Sequence, residues 1–246
     1  MKIHLILAAA SLSALPAFAA EENTCGIPAS IVYKIQAQLG SVVQLNNGGL
    51  FSPNRMWSAI VDRKGVICSV TSIGDAWPGS RAIAIAKASS ANDFSNSAFA
   101  LSTAMLYGPT QPGGSLYGLN NSNPFDPTYL AQGSLAQGSI QTASAGALIG
   151  AFAPKVPGGI ITFGGGVPLY QGKDVIGALG VSGDTSCTDH VIAYRMRAAA
   201  NLKLDPVSNG LNSDNIVYYP GIPPQPPVVN PTQFAQPHCS ASDITP

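Results

Sequence analysis

Histidine is the side chain best suited to ligate a transition metal or carry a proton near neutral pH, and this chain has three: His4, His190 and His238. His4 falls in a leader described below, so metal chemistry rests on the other two. His190 follows Asp189 in the opening turn of a helical pattern, and Tyr194 and Arg197 join it at i+4 and i+7 on one face. Ile192, Met196 and Ala199 form the opposite, apolar face, the one expected against the core. His190 is therefore expected on the outer face, held neutral by the helix N-terminus and able to bind a metal. The alternative is an ordinary hydrogen-bonded surface histidine.

His238 stands beside Cys239 in a proline-rich tail. A Cys187–Cys239 disulfide would draw it towards the start of the His190 helix and create a two-histidine site. Asp189 has two readings. With Ser186 it completes the [ST]-x-x-[DE] capping pattern, with Asp184 a second candidate cap; with His190 it makes an acid–base pair. Arg81 and Lys87 are cations able to hold a ligand's carboxylates through charge-assisted bonds, although six residues apart they do not share a helical face.

Hydrolase and nucleotide templates fail on inspection. The glutamates are Glu21 and Glu22 alone, which removes paired-glutamate hydrolysis and the H-E-x-x-H zinc motif. Gly180-Val-Ser182-Gly183-Asp184 lacks the last glycine of a nucleophile elbow. Gly172-Lys173 has neither the upstream glycine nor the following hydroxyl of a phosphate-binding loop. With 12 basic and 12 acidic residues the net charge is zero, against nucleic-acid binding.

The elements that must position these residues sit in a chain of 246 residues, 46 % hydrophobic and only 10 % charged, well under the roughly 25 % of an average soluble domain. Residues 1–19 read as a secretory signal peptide: Lys2, an apolar run to Leu15, and the cleavage pattern Ala17-Phe18-Ala19. No later run is long enough to span a membrane, so a periplasmic or extracellular protein is expected. In that oxidising setting the four cysteines read as two disulfides with three connectivities. Cys25–Cys68 with Cys187–Cys239 is the expected one.

A helix is expected over 30–40, capped by Ser30 and ended by Gly40. A β-hairpin follows over 57–70 with its tip at Asp62-Arg63-Lys64, then a second, broken helix over 81–107. Residues 108–159 are rich in Gly, Pro, Asn, Ser and Gln and read as a long excursion. Strands are expected over 159–163 and 174–181, a helix over 187–202 and a short strand over 216–219. The domain is expected over 20–219, and the tail over 220–246 holds eight of the twenty prolines. The glycines at 164–166 and 180–183 bring backbone close to either a ligand or a packed helix.

Together these pieces make an α+β chain with an antiparallel sheet, and their residues resemble a known family. The matching segments are Trp57 to Gly65 with its Val61-Asp62-Arg63 core, Ser80 to Phe94 with Ile83-Ala84 and Lys87-Ala88, Gly164-Gly165-Gly166-Val167-Pro168, and Ile176-Gly177 through Ser182-Gly183. They are similar to the GlcG/HbpS heme-binding family. The resemblance implies a PAS- or profilin-like antiparallel sheet flanked by α-helices, and a tetrapyrrole ligand, heme, used in sensing, storage or scavenging. It also makes a homo-oligomer plausible, and export with paired cysteines suggests a secreted branch. The site so implied takes His190 as iron ligand, with His238, Tyr194, Arg81, Lys87, Gly165, Gly166, Ser182 and Asp189 around the cofactor. Two other classes stay open: a small-molecule enzyme using Asp189 and His190, and a cofactor-free sensory or interaction module.

Overall fold

The computed structural model describes residues 25–126, 141–142 (backbone only), 156–202, 214–218 and 236. The expected signal peptide, His238 and Cys239 lie outside them, as does most of the 108–159 excursion. Four main strands build an antiparallel sheet: β1 (Met56–Asp62), β2 (Ile67–Ile73), β4 (Gly166–Gln171) and β5 (Asp174–Ser182). A two-residue β3 (Gln141–Thr142) adds an edge, giving the order β3-β2-β1-β5-β4. The centre of the sheet joins distant parts of the chain, with Trp57 opposite Ser182 and Asp62 opposite Gly177.

Both faces are covered, so β1 is buried along its whole length. Alternation divides the strand's side chains between two layers. Trp57, Ala59 and Val61 pack with Ala84, Ile85, Ala88 and Ala91 of α3 (Ser80–Asp93). Met56 and Ile60 face the other way, onto Val32 and Ile35 of α1 (Ala29–Gln36), Leu39 and Val42 of α2 (Leu39–Val42), and Ile192 and Met196 of α5 (Ser186–Ala199). The architecture is α+β, an antiparallel sheet between helices. No helix among the described residues is long and apolar enough to cross a membrane.

Several local expectations are corrected. The first helix starts after Pro28, with no side-chain cap from Ser30, and Gly40 lies inside α2 instead of ending a helix. The second stops at Asp93, far short of 107, because the next segment has better partners than a helical turn. Asn96 Oδ1 accepts the Ala98 and Phe99 amides, and Ser95 bridges Ala100. A separate single turn, α4 (Tyr107–Thr110), follows. Residues 159–163 are not a strand: Ser90 of α3 takes the Ile161 amide at 2.7 Å. Among the described residues, the expected 216–219 strand is represented by one bridge, Tyr218 to Gln236.

The hairpin turns where expected, at Asp62-Arg63-Lys64, and the charges of Asp62 and Arg63 are bonded within the fold. Asp62 is buried and accepts the amides of Gly26 (2.7 Å), Lys64 (2.8 Å) and Val66 (3.0 Å). Arg63 donates to both the carbonyl and the side-chain oxygen of Asn92, each at 2.7 Å. Cys25 and Cys68 form the expected disulfide, tying the residue ahead of α1 to β2. Cys187 is disulfide-bonded as well.

Candidate functional site

The start of α5 is fixed by Thr185, whose hydroxyl accepts the Thr188 amide. The expected Ser186–Asp189 box does not form, because Asp189 turns inward and accepts the Asp184 amide at 2.9 Å. Asp184, the other candidate cap, does not cap the helix but holds the turn ahead of it to the 50–51 loop. Its carboxylate accepts the Leu50, Phe51 and Thr185 amides at 2.7, 3.2 and 2.7 Å.

Asp189 meets Lys87 at 2.6 Å, and both side chains are buried. Lys87 also donates to the Val181 carbonyl (3.2 Å) and lies 4.8 Å from the Phe163 ring centroid. The two charges belong to helices on opposite faces of the sheet, and the glycine run is what lets them meet. Gly165 has φ +125°, and a Cβ there would stand 2.8 Å from the Lys87 Nζ. At Gly166 it would strike the Lys87 carbonyl, and at Gly164 that of Ser186. Gly165 and Gly166 thus serve helix packing and the passage of the lysine. Burial pushes the Lys87 ammonium down and the Asp189 carboxyl up to about 6, each partly restored by the other's charge.

His190 is fully buried, contrary to its expected place on an outer face. Residues 214–218 return over that face of α5, a covering that periodicity within the helix does not reveal. Nε2 lies 3.1 Å from Asn215 Oδ1 and so acts as the donor, while Nδ1 has no hydrogen-bond partner. Burial brings its pKa down to about 4, so the ring is neutral for that reason first. Arg197 is buried beside it, bonded to the Pro168 carbonyl and Asp214, each at 3.0 Å, and stacked 4.9 Å from the Tyr194 centroid. Tyr170 completes the group with a 3.2 Å bond to Asp214.

Of the expected set, the structure brings Lys87, Gly165, Gly166 and Asp189 together, with His190 next along α5 and Tyr194 on the arginine. Ser182 is buried at the end of β5, and Arg81 is half-buried in the first turn of α3. Asp214, Asn215, Tyr170 and the inward role of Arg197 were missed. The only signal was Arg197 at i+7 from His190. The proposed acid–base pair is divided between different partners, Asp189 with Lys87 and His190 with Asn215. As folded, this interior does not fit an iron macrocycle: the imidazole is sealed and Lys87 is already neutralised by a carboxylate.

The geometry defines a class first: an antiparallel sheet clasped between helices and stitched at one edge by a buried lysine–aspartate pair. A haem degrading protein HbpS-like family model matches residues 52–198, more than half of the chain, and the chain belongs to that family. The crystal structure of a PduOC:heme complex shares the fold at 22 % identity and TM-score 0.51, over 72 % of this chain and 96 % of that one. Klebsiella pneumoniae protein ORFY aligns at 23 % identity and TM-score 0.49, over 72 % and 92 %. A double mutant of Streptomyces reticuli HbpS aligns at 17 % and 0.40, over 78 % and 97 %. Comparison with curated protein sequences finds no match.

Proposed function

We propose that this chain binds heme or a related tetrapyrrole outside the cytoplasm and serves in heme sensing, storage or scavenging. Membership of a family described by its action on haem carries the reading. The shared fold of a protein crystallised with heme supports it. The disulfide between Cys25 and Cys68, together with the bonded Cys187, supports an oxidising compartment, in keeping with a leader over 1–19. The domain over 20–219 and the tail over 220–246 belong to the same proposal.

The test is a hemin titration of the signal-cleaved, oxidised protein followed in the Soret region, beside His190→Ala. The expected result is a saturable shift in both proteins, because the imidazole is sealed behind Asn215. Absence of a saturable shift in the parent protein removes the proposal. A shift lost only in a folded His190→Ala protein returns the iron to His190 and requires 214–218 to open.

A further inference from the structure

The loop ahead of β1 is held more firmly than a connector needs to be. Asp184 takes the Leu50 and Phe51 amides. Buried Asn54 donates to the Gly48 and Phe51 carbonyls at 3.0 and 2.8 Å and accepts from Asn47 at 3.0 Å. Arg195 of α5 donates to the Asn46 carbonyl and to Asn47 Oδ1 at 2.8 and 2.6 Å. Beside exposed polar residues such as Asn46 and Ser52, this framework presents apolar ones to solvent: Leu50 is 69 % exposed, with Phe51 half-buried beside it.

Trp77 faces the same loop from the turn after β2 and is 55 % exposed. Its carbonyl is pinned by the Trp57 indole at 2.9 Å and by the Ser80 amide at 3.0 Å. The Phe51 and Trp77 ring centroids are 6.1 Å apart with planes tilted by 52°. The exposed Arg55 guanidinium lies 4.8 Å from the Phe51 centroid. An exposed indole on a pinned backbone, a half-buried phenyl tilted against it and a planar cation stacked over that phenyl form a recognition surface.

We infer that the shelf formed by Trp77, Phe51 and Arg55, with Leu50 beside Phe51 in the chain, is where the tetrapyrrole lies, its ring face on Trp77, its edge against Phe51 and its carboxylates on Arg55. The inference rests on the proposed function and supplies the site that the sealed interior does not. The chemistry favours this occupant: a porphyrin is a broad apolar plane with acidic groups on one edge. The exposed Trp77 face takes such a plane by stacking, and Arg55, held over the Phe51 ring, grips carboxylates with its fork. Recognition here is by face and charge, so it does not depend on iron. Asp75 is exposed on the turn that carries Trp77, and its charge opposes an anionic ligand.

The experiment titrates the oxidised protein with hemin and with iron-free protoporphyrin, reading Soret absorbance and tryptophan emission. Trp77→Ala and Arg55→Gln are measured beside it, with folding checked by far-ultraviolet circular dichroism and the emission of buried Trp57. Both ligands are expected to bind and to quench Trp77. Trp77→Ala is expected to weaken both about tenfold or more, Arg55→Gln about threefold to tenfold, and Asp75→Asn to tighten both. If the parent protein binds neither ligand, the proposed function fails and the shelf with it. If it binds both and folded Trp77→Ala and Arg55→Gln bind equally well, the shelf is overturned while the function stands. Binding of hemin alone places recognition on the iron and overturns the shelf. Self-association lost in Trp77→Ala with unchanged ligand affinity also overturns it, making the surface a contact between copies.

Discussion

An imidazole loses far less on leaving water than an imidazolium does, and His190 is neutral because the interior enforces that difference. The consequence is a pH dependence of known sign. The pKa falls from 6.5 to about 4 on folding, so between these values the unfolded chain binds more protons and stability decreases as pH decreases. The contribution is complete above 6.5 and gone below about 4. At roughly 1.4 kcal/mol per tenfold change in proton affinity it amounts to about 3 kcal/mol. Asp189 acts in the opposite sense: its raised pKa contributes stability at low pH that is lost as pH rises through about 6. The measurement is therefore a difference: urea unfolding of the parent protein and His190→Asn at pH 4 and pH 7. The parent protein is expected to lose about 3 kcal/mol more than the variant on acidification, and equal losses would show that His190 does not titrate in this way. The type and neutrality of this residue were legible in the sequence. Its burial was not, since the covering residue, Asn215, is 25 positions away.

At the scale of elements, the closest approach is between α3 and β5. A Cβ added to Gly180 would run into the Ala84 carbonyl and crowd the Ala88 amide, two backbone groups that cannot swing aside. Gly79, at the entrance to α3, has open space around it and an ordinary helical φ of −66°. Gly180→Ala is expected to cost about 3 kcal/mol or more through overpacking. Gly79→Ala should be neutral or stabilising by about 0.4–1 kcal/mol through the unfolded chain. Thermal melts of the two proteins check both; equal melting temperatures would show that helix and sheet are not packed this tightly. The alanine-rich pattern of α3 and the glycines at 180–183 made this packing readable beforehand, as did the first hairpin and α5. β4 was not readable, because Pro168 and the glycine run disguise it. A proline lacks the amide a central strand needs, yet β4 is an edge strand where its loss is tolerated. The misplaced strand over 159–163 failed for the converse reason. Its apolar residues suit a sheet, but its backbone is engaged by a side chain of α3.

Across the whole molecule, the chain after α5 comes back to finish a core that the family-matched region leaves open. Asp214 holds Arg197 and Tyr170, the Asn215 side chain accepts from His190, and the Asn215 carbonyl accepts from Ser102, while Ile216 is buried beneath Tyr218. Asp214, Asn215, Ile216 and Tyr218 lie beyond the matched span of 52–198, so the interior of the family-matched region is closed here by residues outside it. The return segment should therefore govern access to His190. Asp214→Ala combined with Asn215→Ala removes its polar anchors and leaves Arg197 without its carboxylate. The melting temperature should fall, by a destabilisation of about 2–4 kcal/mol. More telling is the reactivity of the imidazole towards diethyl pyrocarbonate, mapped by mass to the peptide containing His190 so that His238 does not contribute. The parent protein should be protected and the double variant modified about tenfold faster or more, because protection then depends on local opening, whose free energy has dropped. Unchanged protection in a destabilised variant would place the seal in the sheet and helices themselves. Faster modification would locate it in the return segment, a part of this interior that could yield to a ligand without unfolding the sheet.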